Sequence, residues 1–161
     1  MTTAPWVRET LRRSGISFKE MHHGLTWTSE ELARDPTARG AVVTKTVVVV
    51  AARRPVVLVL PADRQVDLGR VADILQVSDV RLASEGEIRS YCNDCEVGAA
   101  PPLRHWKVFD VIMDRSLRGA CEVVFPAGSH EDAVRLQFGN WFDLVRPRVE
   151  SFSRHRDRQV H

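Results

Sequence analysis

The stretch Ala41-Val-Val-Thr-Lys-Thr-Val-Val-Val-Val-Ala-Ala52 decides the architecture. Residues branched at Cβ fill it almost completely, and such side chains suit the pleated, packed surface of a sheet. Arg53-Arg54-Pro55 turns the chain, and Val56-Val-Leu-Val-Leu60 returns. Two strands joined this way form a hairpin. Their nearly continuous apolar character places them centrally, in a sheet covered on both faces. Lys45 is the anomaly, because period-2 alternation sends its side chain to the face of Val43, Val47 and Val49. Burying an unpaired ammonium is costly, so on a covered face Lys45 must pair, reach a wet pocket or lose its proton. The alternative is a lysine that snorkels to solvent from a partly exposed strand. The residues leave both readings open.

Outward from the hairpin, other elements follow. Pro5, Val7 and Leu11 among arginines predict an amphipathic helix to about Arg13, ended by Gly15. Ile16 to His22 alternates as a strand. Thr28-Ser-Glu-Glu31 has capping-box spacing and opens a short helix before Pro36, and Asp35 to Gly40 is a polar turn. Asp67 caps a helix through Val71, Ile74 and Leu75, and Ser84-x-x-Glu87 caps another to about Tyr91. Residues 92–107 hold Gly98, Pro101 and Pro102 and read as loop. Val108 to Met113, Cys121 to Phe125 and Ala133 to Leu136 predict three strands, and Asn140 is expected to cap a last helix. The sum is one α+β (mixed α/β) domain over residues 1–150, a mixed and largely antiparallel sheet flanked by helices. Residues 151–161 read as a basic, flexible tail that could touch phosphates.

With 161 residues, 43% of them apolar, the chain can bury a single core. No apolar run approaches the ~20 residues of a membrane-spanning helix, and the first residues lack a secretory pattern, so a cytoplasmic protein is expected. A net charge of +2 does not by itself advertise nucleic acid. Lysine occurs only at 19, 45 and 107, the other cations being arginine, which binds phosphates bidentately. Three cysteines, Cys92, Cys95 and Cys121, do not make a disulfide framework. Cys92-Asn-Asp-Cys95 lacks the partners for structural zinc and follows a helix where a redox dithiol would precede one. A coincidental pair is the favoured reading, with no metal and no cofactor.

Two loops carry candidate chemistry. Glu96-Val-Gly98-Ala-Ala-Pro-Pro102 combines small side chains with a fixed backbone, which lets N–H groups approach a ligand, although a plain proline-rich turn has the same pattern. Ala127-Gly128-Ser129-His130 places a serine beside a histidine, but no nucleophile elbow surrounds Ser129. His22 and His23 form a further polar pair.

The order and spacing of Val43-Thr-Lys45-Thr, Val59-Leu-Pro-Ala-Asp63, Asp67-Leu, Cys95-Glu-Val-Gly98-Ala-Ala-Pro-Pro102, Val111-Ile-Met-Asp114-Arg-Ser-Leu117 and Ala127-Gly128-Ser-His130 resemble the YbaK family, the prolyl-tRNA synthetase-associated editing domain. The resemblance runs from about His22 to Val149. It implies a mixed sheet with flanking helices and trans-editing: hydrolysis of the ester joining a wrong amino acid to the 3′ adenosine of its tRNA. It further implies that Lys45 holds the substrate's 3′ end and that the Gly98 amide meets the scissile carbonyl. Pro102 would close that motif, Ser129 and His130 would shape amino-acid selection, and Asp114 would support the pocket. His22, Thr46, Ala99 and Gly128 are expected to complete it. Mis-acylated tRNA is the implied partner, with an aminoacyl-tRNA synthetase a candidate second one. Small side chains at Ala99 and Ala100 suit alanyl or cysteinyl groups on tRNA(Pro). A non-catalytic module that binds tRNA or an aminoacyl or nucleotide ligand is the alternative. Where many relatives continue Pro-Phe-Gly, this chain has Pro102-Leu103-Arg104-His105, which puts the far wall of the pocket in doubt.

Overall fold

A computed structural model describes residues 3–24, 28–106 and 110–156. The helices are α1 (Pro5–Arg13), α2 (Ser29–Ala33), α3 (Leu68–Leu75), α4 (Glu85–Tyr91) and α5 (Phe138–Val145). The strands are β1 (Phe18–His22), β2 (Val42–Ala51), β3 (Arg54–Pro61), β4 (Arg64–Val66), β5 (Val80–Leu82), β6 (Asp110–Asp114), β7 (Glu122–Pro126), β8 (Asp132–Gln137), β9 (Arg148–Glu150) and β10 (Ser153–His155). The main sheet runs β1-β8-β7-β2-β3-β6-β9, with β5 added to β2, and β10 pairs with β4 apart from it. The pairs β1–β8, β7–β8, β2–β3 and β2–β5 are antiparallel, while β2–β7, β3–β6 and β6–β9 are parallel. The sheet is mixed, as expected.

The valine-rich hairpin is central and covered on both faces. Val48, Val57, Val59, Val111, Met113, Val123 and Phe125 face one core with α1, α4 and α5. The alternate residues Val49, Val56, Leu58, Leu60 and Ile112 face a second core under α3 and Phe152. Val43, Val124 and Ala133 continue that side beneath Leu32 of α2. This alternation follows from the pleat.

The helix caps formed by Thr28, Asp67 and Ser84 are present, each side chain accepting from a backbone N–H of the first turn. Other expectations need correction. The hairpin turns at Ala52 and Arg53, both left-handed with φ of 49° and 69°, and Arg54 and Pro55 already belong to β3. Two left-handed residues give the turn whose twist matches its strands. Asn140 is no cap: α5 begins at Phe138, after Gln137. Of the strand expected from Val108 to Met113, Asp110 onward is described and is β6, and Val108 lies outside the described residues.

The flexible tail expected at the C-terminus needs partial correction too. Phe152 and Ser153 are buried, and Ser153–His155 pairs with β4. One aromatic in a polar run suffices to anchor it, because burying a phenylalanine is worth about 1.5–3 kcal/mol. Asp114 fixes the same segment, its carboxylate accepting the Phe152 and Ser153 N–H groups at 2.9 and 3.0 Å. Among the described residues no helix is long and apolar enough to cross a membrane.

Candidate functional site

The proline-rich loop and the serine-histidine turn form one unit. The Glu96 N–H donates to Gly128 O (2.9 Å), and the Gly128 N–H donates to Ala99 O (3.0 Å). The Glu96 carboxylate accepts the His130 N–H at 2.9 Å. Gly98 sits exposed at the crest with φ 86°, a left-handed conformation that favours glycine. Among the described residues no hydrogen bond engages its N–H. Ala99 beside it is buried. Pro101 and Pro102 are buried as well, and the Pro102 carbonyl accepts the indole N–H of Trp141 at 2.9 Å. The loop is therefore clamped on both sides of a presented amide.

The residues after Pro102 serve packing. Leu103 is buried in the core. Arg104 donates to Val145 O (2.6 Å) and Arg146 O (3.2 Å), tying down the end of α5. His105 stacks on Trp6 with ring centroids 3.8 Å apart and pairs with Asp94.

Ser129 is committed to the turn. Its hydroxyl donates to Asp132 Oδ2 (2.6 Å) and accepts from the N–H groups of Glu131 (3.2 Å) and Asp132 (3.1 Å). Neither a base nor a ligand can easily claim it. The other Asp132 oxygen lies 3.2 Å from His22 Nδ1, so His22 joins the same cluster. Gly128 has φ 95°, and a Cβ there would lie 2.7 Å from Ala4 Cβ. This close approach lets α1 dock, through the Ala4 N–H to Ala127 O bond of 3.0 Å.

Lys45 resolves toward pairing. Its Nζ donates to Glu30 Oε1 at 3.1 Å, and the side chain lines a cavity of about 540 Å³ together with Val47, Gln65, Asp67, Leu82 and Arg154. Glu30 also meets Arg156 at 3.3 Å. Burial raises the Glu30 pKa, but its own backbone amide, Lys45 and Arg156 outweigh that and hold it below the ordinary carboxylate value. Gly98, Pro102, Ser129 and His130 do not line this cavity. The expected site residues thus occur in two halves, a cationic cavity at Lys45 and a clamped loop at Gly98.

Thr44 and Thr46 flank Lys45 and point to the opposite face, toward the core that carries Cys92 and Leu103. Both hydroxyls are buried without a hydrogen-bond partner among the described residues, as is His23 Nε2. Asp114 does not reach either half. It holds Ser116, Phe152 and Ser153 and so supports β10, whose Arg154 borders the cavity. Glu30, Glu96 and Asp132 escape a reading of the sequence, although Ser129-x-x-Asp132 repeats the spacing of a side chain closing on a turn.

Burial pushes the Cys92 thiol up to about 11 and the Cys95 thiol up further, against thiolate chemistry at neutral pH. No cluster of metal-ligating groups occurs among the described residues.

The aminoacyl-tRNA editing domain matches residues 23–144. The chain belongs to this family. The match spans both halves of the site, and the fold agrees with solved structures. One, of a hypothetical protein, has a TM-score of 0.82 at 20% identity, covering 92% of this chain and 99% of the other. Another, described provisionally as a trans-editing enzyme for prolyl-tRNA synthetase, has a TM-score of 0.80 at 21% identity, covering 93% and 98%. No curated protein matches in sequence. As an editing domain the chain has aminoacyl-tRNA as its substrate class, and its family points to ester hydrolysis. β10 lies beyond the residues that match the editing domain.

Proposed function

We propose that this editing domain is a trans-acting deacylase, which hydrolyses the ester of a mis-charged tRNA carrying a small amino acid, with alanyl- and cysteinyl-tRNA(Pro) the first candidates. The observation that carries the reading is the presented N–H of Gly98, held by a loop latched to the Gly128–His130 turn. An ester is already activated, so the protein need only place a water, an amide for the developing oxyanion and a cation for the 3′ end. No protein nucleophile is needed. Water attacks the carbonyl carbon, the charge on its oxygen meets the Gly98 N–H, and the ester bond breaks to return the ribose hydroxyl. A rigid amide costs no reorganisation as the charge forms, and one such donor is typically worth ~10²–10³ in rate. Lys45 would hold the tRNA end, exchanging Glu30 for a phosphate or carbonyl oxygen. Ala99 and the His130 turn would limit the size of the amino acid. A synthetase that presents the tRNA is a compatible partner.

The test is release of amino acid from a panel of mis-charged tRNAs, alanyl- and cysteinyl-tRNA(Pro) included, by wild type and Lys45→Ala. Release by the wild type and an about 10²-fold loss in the variant are expected. Tight tRNA binding without turnover on any member of the panel would instead establish a binding module.

A further inference from the structure

We infer that the cavity beside Lys45 is a nucleotide subsite, completed by the C-terminal strand, that grips the single-stranded tRNA end upstream of the aminoacylated residue. The inference rests on the editing reading for its substrate and shares Lys45 with it, and it adds the other cavity residues and the C-terminal strand. The cavity of about 540 Å³ divides by chemistry. Val47, Val66 and Leu82 give it an apolar wall, and Leu82 is 55% exposed, the one large hydrophobic side chain so exposed among the described residues. Lys45 and Arg154 give it a cationic side, and Gln65 supplies an amide able to meet a base edge. A flat base against aliphatic side chains, with its phosphate toward Lys45 and Arg154, fits that division. An acidic peptide would leave the apolar wall wet.

The charges at the mouth favour an anion that arrives from outside. Lys45 and Arg156 both contact Glu30, at 3.1 and 3.3 Å, so one carboxylate faces two cations. Asp67, the acid lining the cavity among the described residues, is engaged by the Arg70 N–H at 3.2 Å and by its guanidinium at 3.6 Å. Glu30 is therefore a stand-in counterion that a phosphate displaces. Arg154 and Arg156 are held there by the Phe152 anchor, the β4–β10 pairing and the Asp114 carboxylate.

The test is calorimetric binding of unacylated CpCpA to the full chain, across a range of salt, for wild type, Arg154→Ala/Arg156→Ala and Glu30→Gln. Thermal melts confirm that each variant is folded. The double variant should weaken binding about tenfold and flatten the log-log salt slope by about 0.7, the share of the one single-strand phosphate placed toward Lys45 and Arg154. Glu30→Gln should tighten binding about two- to fivefold, since it removes a competing charge worth a surface ion pair. Unchanged affinity in the double variant, or weaker binding in Glu30→Gln, would overturn the inference. Inorganic phosphate binding as tightly as CpCpA would also overturn it, leaving a plain anion site. CpCpA binding with these dependences but no deacylation of any charged tRNA would sink the hydrolytic reading and leave this subsite standing.

Discussion

The Glu96 carboxylate accepts the backbone N–H of His130 at 2.9 Å, joining two loops 34 positions apart in the chain. With the backbone bonds between Glu96, Ala99 and Gly128, it makes the proline-rich loop and the serine-histidine turn a single body. Removing the carboxylate leaves a half-buried amide unpaired, which costs about 1–3 kcal/mol. Glu96→Ala should therefore lose that much stability in urea, and Glu96→Gln, which keeps an acceptor, should lose little. Equal midpoints for all three proteins would show that the latch contributes nothing.

Gly128 answers to two constraints at once, a left-handed φ of 95° and an Ala4 methyl 2.7 Å from where its Cβ would lie. Gly128→Ala should cost about 2–4 kcal/mol from backbone strain and overpacking together. Adding Ala4→Gly should restore the packing part only. A double-mutant cycle separates the two, and complete rescue would show that the backbone conformation carries no strain.

Asp114 sets the pH response of the C-terminal strand. Burial raises its pKa, but hydrogen bonds from Ser116, Phe152 and Ser153 outweigh this and leave it lowered. A folded-state pKa below the unfolded one means that the stabilisation is full above the unfolded value, near pH 4, and fades as pH falls through the folded value. Wild type should accordingly lose stability on acidification below about pH 4. Asp114→Asn should be less stable at pH 7 and show a shallower acid limb. Chemical denaturation at pH 7, 4 and 3 checks both.

Thr44 and Thr46 bury hydroxyls that find no partner among the described residues. Thr44→Val should raise stability by about 1 kcal/mol, because a buried unsatisfied polar group is removed with little change of shape. Thr46→Val should stabilise likewise but weaken substrate binding, the role that resemblance to the editing family gives Thr46. Thermal melts and KM values separate the two variants, and identical KM values would place Thr46 outside the site.

The central hairpin is legible in the sequence because Val42 to Ala51 has no other way to bury so many Cβ-branched side chains. Thr28, Asp67 and Ser84 are legible for a local reason: a cap is settled within four residues. The three-residue strands β4, β5, β9 and β10 are not, since three residues show no periodicity and their pairing depends on distant partners. Lys45 is anomalous in sequence, but Glu30 cannot be named from it as the partner because the helix that carries it is placed by tertiary packing. The same holds for Asp132 and Glu96, ordinary surface acids until the turn folds over them. Asp114, a pocket support by resemblance, acts one step away, through Phe152 and Ser153.

The pairing of β2 has a kinetic consequence. The strand pairs with β7 at Val42 and Val43 and with β5 only from Val49, so neither neighbour reaches Thr46. Because the Val43 carbonyl already turns toward β3, accepting from Ala62, the backbone of Thr46 turns to the side where no described strand pairs with it. In hydrogen exchange the Thr46 amide should be a fast site set within the slowest strand of the molecule. Whatever settles into that notch would slow it, so a single amide would report occupancy without any label.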